Sequence, residues 1–362
     1  MQPESPTPTE DPGPDRPWNV RGRVVMADVD SVVVFTARLR ALDYRYGGGR
    51  CRDAAVSLLP SALALLGRPC ADDVSGQLRA AVADLHNLAG WSCFDTGLTD
   101  AAAGHFRTAL TVAARGDHTS LASNVYYRLG RLSLHHNDVG RAMTEFQLGE
   151  RAAAAGGSAL AGAVISANRA WAQARMGRSD DVAMSLARAR EEFMRASDEP
   201  VPAWAAFFTA TDFTAITGIA YTELARTADP RYAEFAAAVL STAVDGYGPG
   251  MARSRAFSLI SFAVCHLLDD QVDAAVELGN EAVDRCEVLT STRAVERLRP
   301  LRDEAARRRS HPGALALVKR IRAFRPAVLV PHPRRRDDLV EHRDIDGHSG
   351  ERGVNRSAEG IG

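Results

Sequence analysis

Apolar residues recur three and four positions apart along most of the chain, from about residue 24 to about residue 325, and breakers interrupt them at regular intervals. Gly47-Gly48-Gly49 separates a first pair of segments, about 27–46 and 51–66, and the stretch from Gly67 to Asp73 ends that unit. Thr96-Gly97, Gly116-Asp117, Asn137-Asp138, Gly156-Gly157, Gly177-Arg178, Asp198 to Pro202, Asp229-Pro230, Gly246 to Gly250 and Asp269-Asp270 follow. Glycine stops a helix at its C-terminus, and Asp, Ser or Thr opens the next. At Asp229-Pro230 the carboxylate is placed to cap and the proline suits the first helical position. No run alternates convincingly with period two, and the apolar run Ser31-Val-Val-Val-Phe35 sits inside a longer helical pattern. The pattern predicts an all-α chain of short paired helices.

The spacing of small and bulky residues narrows this to a solenoid. Gly90 is followed by Ala102, Phe106 and Ala109 at offsets of 12, 16 and 19. Gly130, Ala142, Phe146 and Gly149 repeat those offsets, and Ala170, Val182, Leu186 and Ala189 repeat them with one substitution. These registers step by 40 residues; a fourth (Leu224, Ala236, Leu240, Ala243) follows after 54 and a fifth (Ala263, Ala275, Gly279, Ala282) after 39. Such offsets mark the tetratricopeptide (TPR) hairpin, whose consensus period is about 34 residues. Small residues let the two helices of a hairpin approach, and the bulky residue fills the gap to the next hairpin. A single hairpin cannot bury its own apolar face, so several must stack. An Ala-rich bundle would match one register by chance, whereas three at equal steps favour a TPR-like α-solenoid. The predicted organisation is a disordered arm (1–23), an N-terminal helical hairpin (24–72), the array (73–290), C-terminal capping helices (291–325) and a disordered tail (326–362).

Composition adds exclusions. The net charge of −1 removes any global attraction to nucleic acid or membrane. Five scattered cysteines without a Cys-x-x-Cys indicate neither a zinc site nor a disulfide framework, which fits a reducing cytoplasm. The start, MQPESPTPTEDPGPD, has no apolar core of a secretory signal, and Ala205 to Tyr221 is too short and polar to span a bilayer. Hydrolase, Walker, zincin and dinucleotide motifs are absent, so neither enzyme chemistry nor a cofactor or metal is expected. His135-His136 reads as a solvated helix end, and the pairs Asp72-Asp73, Asp180-Asp181 and Asp269-Asp270 read as helix caps. From Arg299 to Arg336 there are twelve basic residues against Asp303 and Glu304, an alternative contact for nucleic acid or an acidic partner. No interleaved aromatic residues support base stacking there.

Four segments carry a resemblance to a known family. They are Leu88-Ala-Gly-Trp-Ser-Cys-Phe-Asp95, Asp43-Tyr-Arg-Tyr-Gly-Gly-Gly49, Asp198-Glu-Pro-Val-Pro-Ala-Trp204 with Phe207-Phe208, and Tyr247-Gly-Pro-Gly-Met-Ala-Arg-Ser-Arg255. Together they resemble actinobacterial transcriptional regulators that join a Cro/CI-type helix-turn-helix to a C-terminal TPR array, over about Val24 to Arg309. The resemblance implies a regulatory role. Only a Pro-rich arm precedes the Asp43–Gly49 segment, and 23 polar residues cannot build a helix-turn-helix, so DNA binding is not expected to carry over.

In a TPR array the first helix of each hairpin lines the concave groove. The registers put Asp84, Asn87 and Trp91 of the first unit there, Asn124, Tyr127 and Arg131 of the second, and Val164, Ala167 and Trp171 of the third, with Asn168 adjacent. The Asn, Tyr, Trp and Arg side chains among them are the expected partner contacts. Asn donates to and accepts from a peptide backbone, Arg holds a carboxylate bidentately and Trp offers a flat anchor. The expected function is a cytoplasmic, non-enzymatic sensor or adaptor in transcriptional regulation. Its partner would be a peptide or protein, a DNA-binding regulator subunit or a second copy of the chain. A general interaction scaffold is the alternative.

Overall fold

The structure, a computed structural model, describes residues 22–327, all within one compact unit. The expected disordered arm and tail lie almost wholly outside that range. Among the described residues there are fourteen α-helices and no strand. They are α1 (Met26–Tyr46), α2 (Arg52–Leu65), α3 (Asp72–Asp95), α4 (Thr99–Ala114), α5 (Thr119–His135), α6 (Val139–Ala155), α7 (Ala159–Arg175) and α8 (Ser179–Arg195). After a longer connection come α9 (Ala210–Thr227), α10 (Tyr232–Gly246), α11 (Ala252–Leu268), α12 (Val272–Glu287), α13 (Arg293–Ala306) and α14 (Pro312–Ala323). None of them is long and apolar enough to cross a membrane.

Consecutive pairs from α3/α4 to α11/α12 pack as hairpins, and each hairpin rests on the next, which makes the all-α solenoid that the spacing predicts. Contact between small and bulky residues explains the packing. A methyl group on Gly90 would lie 2.7 Å from the Phe106 ring, and one on Gly130 would lie 2.3 Å from the Phe146 ring. Both rings are fully buried, so each glycine is the floor on which its phenylalanine sits. The fourth register needs correction. Leu240 packs over Gly218, 22 positions earlier, where the offset of 16 had pointed to Leu224; the small residue again forms the floor under the bulky one.

Six of the thirteen inter-helix connections pass through a single residue with positive φ in the left-handed region. Gly97, Gly157 and Gly177 serve at three turns, and Asp117, Asn137 and Asp270 at three others. Asp and Asn tolerate this conformation better than most side chains. Asp270 therefore ends a helix exit rather than opening α12 as the sequence suggested, while Asp72-Asp73 and Asp180-Asp181 do lie in first turns.

Two departures position the site. First, α1 and α2 both rest on α3 and touch each other only lightly, the short turn Gly48–Arg50 standing between them. Second, residues 199–209 between α8 and α9 are irregular and carry Trp204, Phe207 and Phe208 inward, which accounts for the 54-residue step. At the C-terminal end α13 packs on α11, and α14 covers α12 and α13.

Candidate functional site

The superhelix brings its last turns against its first. The Gly49 N–H donates to the Thr290 carbonyl (3.1 Å), the Thr290 N–H to the Tyr46 carbonyl (2.9 Å) and the Thr292 N–H to the Asp95 carbonyl (2.9 Å). Gly49 permits this approach, since a methyl group there would sit 2.8 Å from Thr290 Cβ and 2.9 Å from the Thr290 carbonyl oxygen, and Gly48 lets the same turn lie against α3, where a methyl group would sit 2.7 Å from Asp95 Cβ. Charge joins the same seam. Arg253 of α11 donates through both terminal nitrogens to the Asp43 carboxylate (2.8 Å each) and reaches Asp95 at 3.3 Å. Arg293 of α13 meets Asp95 at 3.2 Å, and Asp95 also accepts from the Gly48 N–H (2.7 Å) and the Ser291 hydroxyl (2.9 Å). All four charged groups are buried. Burial alone would raise the Asp95 carboxyl; Arg253 and Arg293 outweigh it and hold it below the usual range.

Inside the seam lies a chamber. One lobe, about 110 Å³, is lined by Trp91, Tyr127, Phe207, Tyr247, Phe257 and a set of arginines, with Asn168 and Asp212. Phe207 stacks on Tyr127 (centroids 5.6 Å apart, planes 15° apart), and Tyr127 stacks on Trp91 (6.3 Å, 27°). The adjoining lobe, about 400 Å³, is lined by Trp171, Arg175, His135, Thr222 and Glu223 among others. Arg131, Ile219, Phe257, Arg293 and Arg297 belong to both lobes and form the waist between them.

The arginines are not all balanced. Arg253 and Arg293 hold Asp43 and Asp95, whereas Arg128, Arg131, Arg175 and Arg297 form no ion pair among the described residues. Arg131 donates to Asn168 Oδ1 (3.1 Å) and lies over the Trp171 ring at 4.6 Å; Arg297 lies over the same ring at 4.6 Å. Burial, together with neighbouring guanidiniums, pushes Arg297 well below the ordinary arginine range and Arg293 down to about 10. Burial also raises the Asp212 carboxyl to about 6, against hydrogen bonds from Thr209 and from the Tyr247 hydroxyl (3.0 Å).

Of the seven residues read from the sequence as partner contacts, Trp91, Tyr127, Arg131, Asn168 and Trp171 line the chamber. Asn87 and Asn124 do not. They are buried between α3 and α5, where Asn87 Nδ2 donates to Asn124 Oδ1 (3.0 Å) and the Asn87 carbonyl accepts from Arg128 (2.8 Å). They join two hairpins instead of facing a ligand, because the superhelical twist turns the start of each first helix into the neighbouring hairpin. Sequence reasoning missed Phe207, Tyr247, Arg253, Phe257, Arg293 and Arg297 as site residues. The segments around Phe207 and Tyr247–Arg253 stood out only through the family resemblance, and nothing in the periodicity marks Arg297.

Other chemistry is muted. Burial pushes the thiols of Cys51, Cys265 and Cys286 up to about 12, which suits packing rather than nucleophilic attack. In the basic C-terminal stretch, Arg299, Arg302, Arg307, Arg308 and Arg320 each hold a nearby carboxylate. Compared with known proteins, the chain matches no protein-family model and no curated protein.

Proposed function

We propose that the protein is a non-enzymatic, TPR-type sensor or adaptor in transcriptional regulation, and that it captures a segment of a peptide or protein partner in the chamber. The observation that carries this is the stacked row Phe207–Tyr127–Trp91, which opens onto Arg131 and Asn168. Flat rings supply large contact area at low entropic cost, and the amide and guanidinium supply direction. The regulatory part of the reading rests on the resemblance of the four segments above, which meet at this place: Asp43 and Asp95 with Arg253, and Phe207 beside Tyr127.

The test is titration of the purified chain with an arrayed set of short extended peptides. Selected binders should weaken about thirtyfold or more in Phe207→Ala or Tyr127→Ala, since buried aromatic anchors contribute about 2 kcal/mol or more. Phe235→Ala, a change at an exposed ring on α10, should leave them unchanged. Binders indifferent to Phe207 and Tyr127 would place the contact elsewhere and sink the proposal.

A further inference from the structure

The waist of the chamber gathers more positive charge than it has anions to answer: Asp95 meets Arg293 at 3.2 Å, whereas Arg131 and Arg297 have no carboxylate in ion-pair contact among the described residues, Glu223 acting on Arg297 only from a distance. Arg131 comes from α5 and Arg297 from α13, more than 160 positions apart in the chain, and both guanidiniums stand 4.6 Å from the centre of the Trp171 ring. Arg297 has neither a hydrogen bond nor an ion pair among the described residues, and the only hydrogen bond from the Arg131 guanidinium goes to a neutral amide. The nearby acids are engaged elsewhere: Glu223 holds Arg226 (2.9 Å), Glu296 holds Arg299 (3.0 Å), and Asp95 holds Arg253 and Arg293. The indole adds a donor of its own. Trp171 is 6% exposed, and its Nε1–H is buried without a partner. An orphan buried donor is costly, and the cation–π contacts on the ring face leave the indole N–H unsatisfied. Water-exposed arginines need no counter-charge, but these two are drawn into a shared, partly desolvated site.

We infer that Arg131, Arg297 and Trp171 form a site for an oxyanion, a carboxylate or a phosphate, carried on a flat apolar group that lies against the aromatic row of the neighbouring lobe. Two planar guanidinium forks suit such an oxyanion, and the stacked rings adjoin them through the waist. The inference rests on the chamber being the ligand site, and it names the chemical group recognised there. Because one arginine comes from α5 and the other from α13, a bound anion ties the middle of the array to its last turn.

The experiment titrates the full chain by calorimetry with phenyl phosphate, phenylacetate, neutral phenylacetamide and inorganic phosphate. At least one aryl anion should bind at least tenfold more tightly than phenylacetamide. Phenyl phosphate preferred over phenylacetate identifies the ligand group as a phosphate, and the reverse order identifies a carboxylate. Arg297→Gln and Arg131→Gln should each weaken the bound anion tenfold or more, and Arg302→Gln, whose partner is Asp303, should leave it unchanged. Should Arg297→Gln not fold, Arg131→Gln supplies the same measurement from α5. Equal binding of phenylacetamide, no binding of either aryl anion, or anion binding that survives both substitutions would overturn the site. The probes contain no peptide, so the anion site stands or falls apart from peptide capture. Failure of the aryl anions to bind, with peptides still held through Phe207 and Tyr127, would keep the chamber reading and remove the anion site.

Discussion

The stacked hairpins α3–α8 and the seam between the two ends of the array are held by different forces. In the hairpins, Phe106 sits on Gly90 and Phe146 on Gly130, and contact is apolar, local and repeated every 40 residues. In the seam, Asp43 and Asp95 face Arg253 and Arg293 across sequence separations of 158 to 210 residues, and nothing repeats. Repetition gives rigidity through shape, whereas the seam depends on a few buried charges that are stable only together. A buried ion pair is weak evidence of net stability, yet removing one member is expensive because the other remains uncompensated. The seam is therefore the more fragile of the two, and it is the one that walls the chamber.

Three experiments break or sharpen that contrast. The largest effect is expected from Asp95→Ala, which strands the buried Arg293 guanidinium, removes the second carboxylate from Arg253 and leaves the Gly48 N–H and Ser291 hydroxyl without their acceptor. Urea unfolding should register a loss on the order of 5 kcal/mol. Hydrogen exchange should also show that the amides of Gly48, Gly49, Thr290 and Thr292 lose protection before those of α5 to α8. Uniform loss across the chain would mean that the seam is not a separate unit. Next is Phe146→Ala, which should lower stability by about 3–5 kcal/mol through an unfilled cavity above Gly130. It should leave protection at Gly48 and Thr290 in step with the whole; a loss below about 1 kcal/mol would show that the ring is not a structural wedge.

The smallest effect is a pH dependence. Burial lowers the buried imidazole of His86 to about 4, from an ordinary value of 6.5, and nearby His105 adds to the shift. Its folded pKa is depressed, so the unfolded chain takes up the proton first. Stability is complete above pH 6.5 and falls as the pH drops from 6.5 towards 4, by about 3 kcal/mol in all. The Asp95 carboxyl is likewise held low, but its contribution persists until the pH falls below the ordinary aspartate value of 3.8. Mild acid should then loosen the α3/α4 hairpin, where His86 meets His105, before the seam. Replacing His86 with Phe should reduce the slope of the melting temperature between pH 6.5 and 4, leaving the part due to His135, whose imidazole burial likewise lowers to about 4. An unchanged slope would assign the acid sensitivity to other groups.

These contrasts also explain what the sequence could reveal. Helix pairing was legible because small and bulky residues must recur at fixed offsets wherever hairpins stack, and Gly90 with Phe106 and Gly130 with Phe146 obey that rule. The fourth register misled because its hairpin departs from the common spacing: Leu240 packs over Gly218 at an offset of 22, where Phe106 and Phe146 use 16. Five of the seven expected groove contacts line the chamber, four on the helical stripe and Asn168 beside it. Asn87 and Asn124 lie on the same stripe but deeper, where neighbouring hairpins press together and their amides meet each other. Arg297 was invisible for a different reason. Its role depends on α13 returning beside α5, a consequence of cumulative superhelical rotation over the whole array, and no local pattern encodes that sum.

The seam has a consequence for how such a chain can change in evolution. An open row of hairpins lengthens or shortens by duplicating or deleting a unit, with little effect on the units that remain. Here Arg253 must still meet Asp43, and Thr290 must still meet Tyr46. Adding or losing one 40-residue unit between them would carry the last turn past the first or leave it short, and the mismatch would appear at the most charged part of the molecule. Repeat number is therefore fixed by closure, and variation is channelled into side chains of the chamber wall and into the 199–209 loop, where a change alters what is held without altering the count.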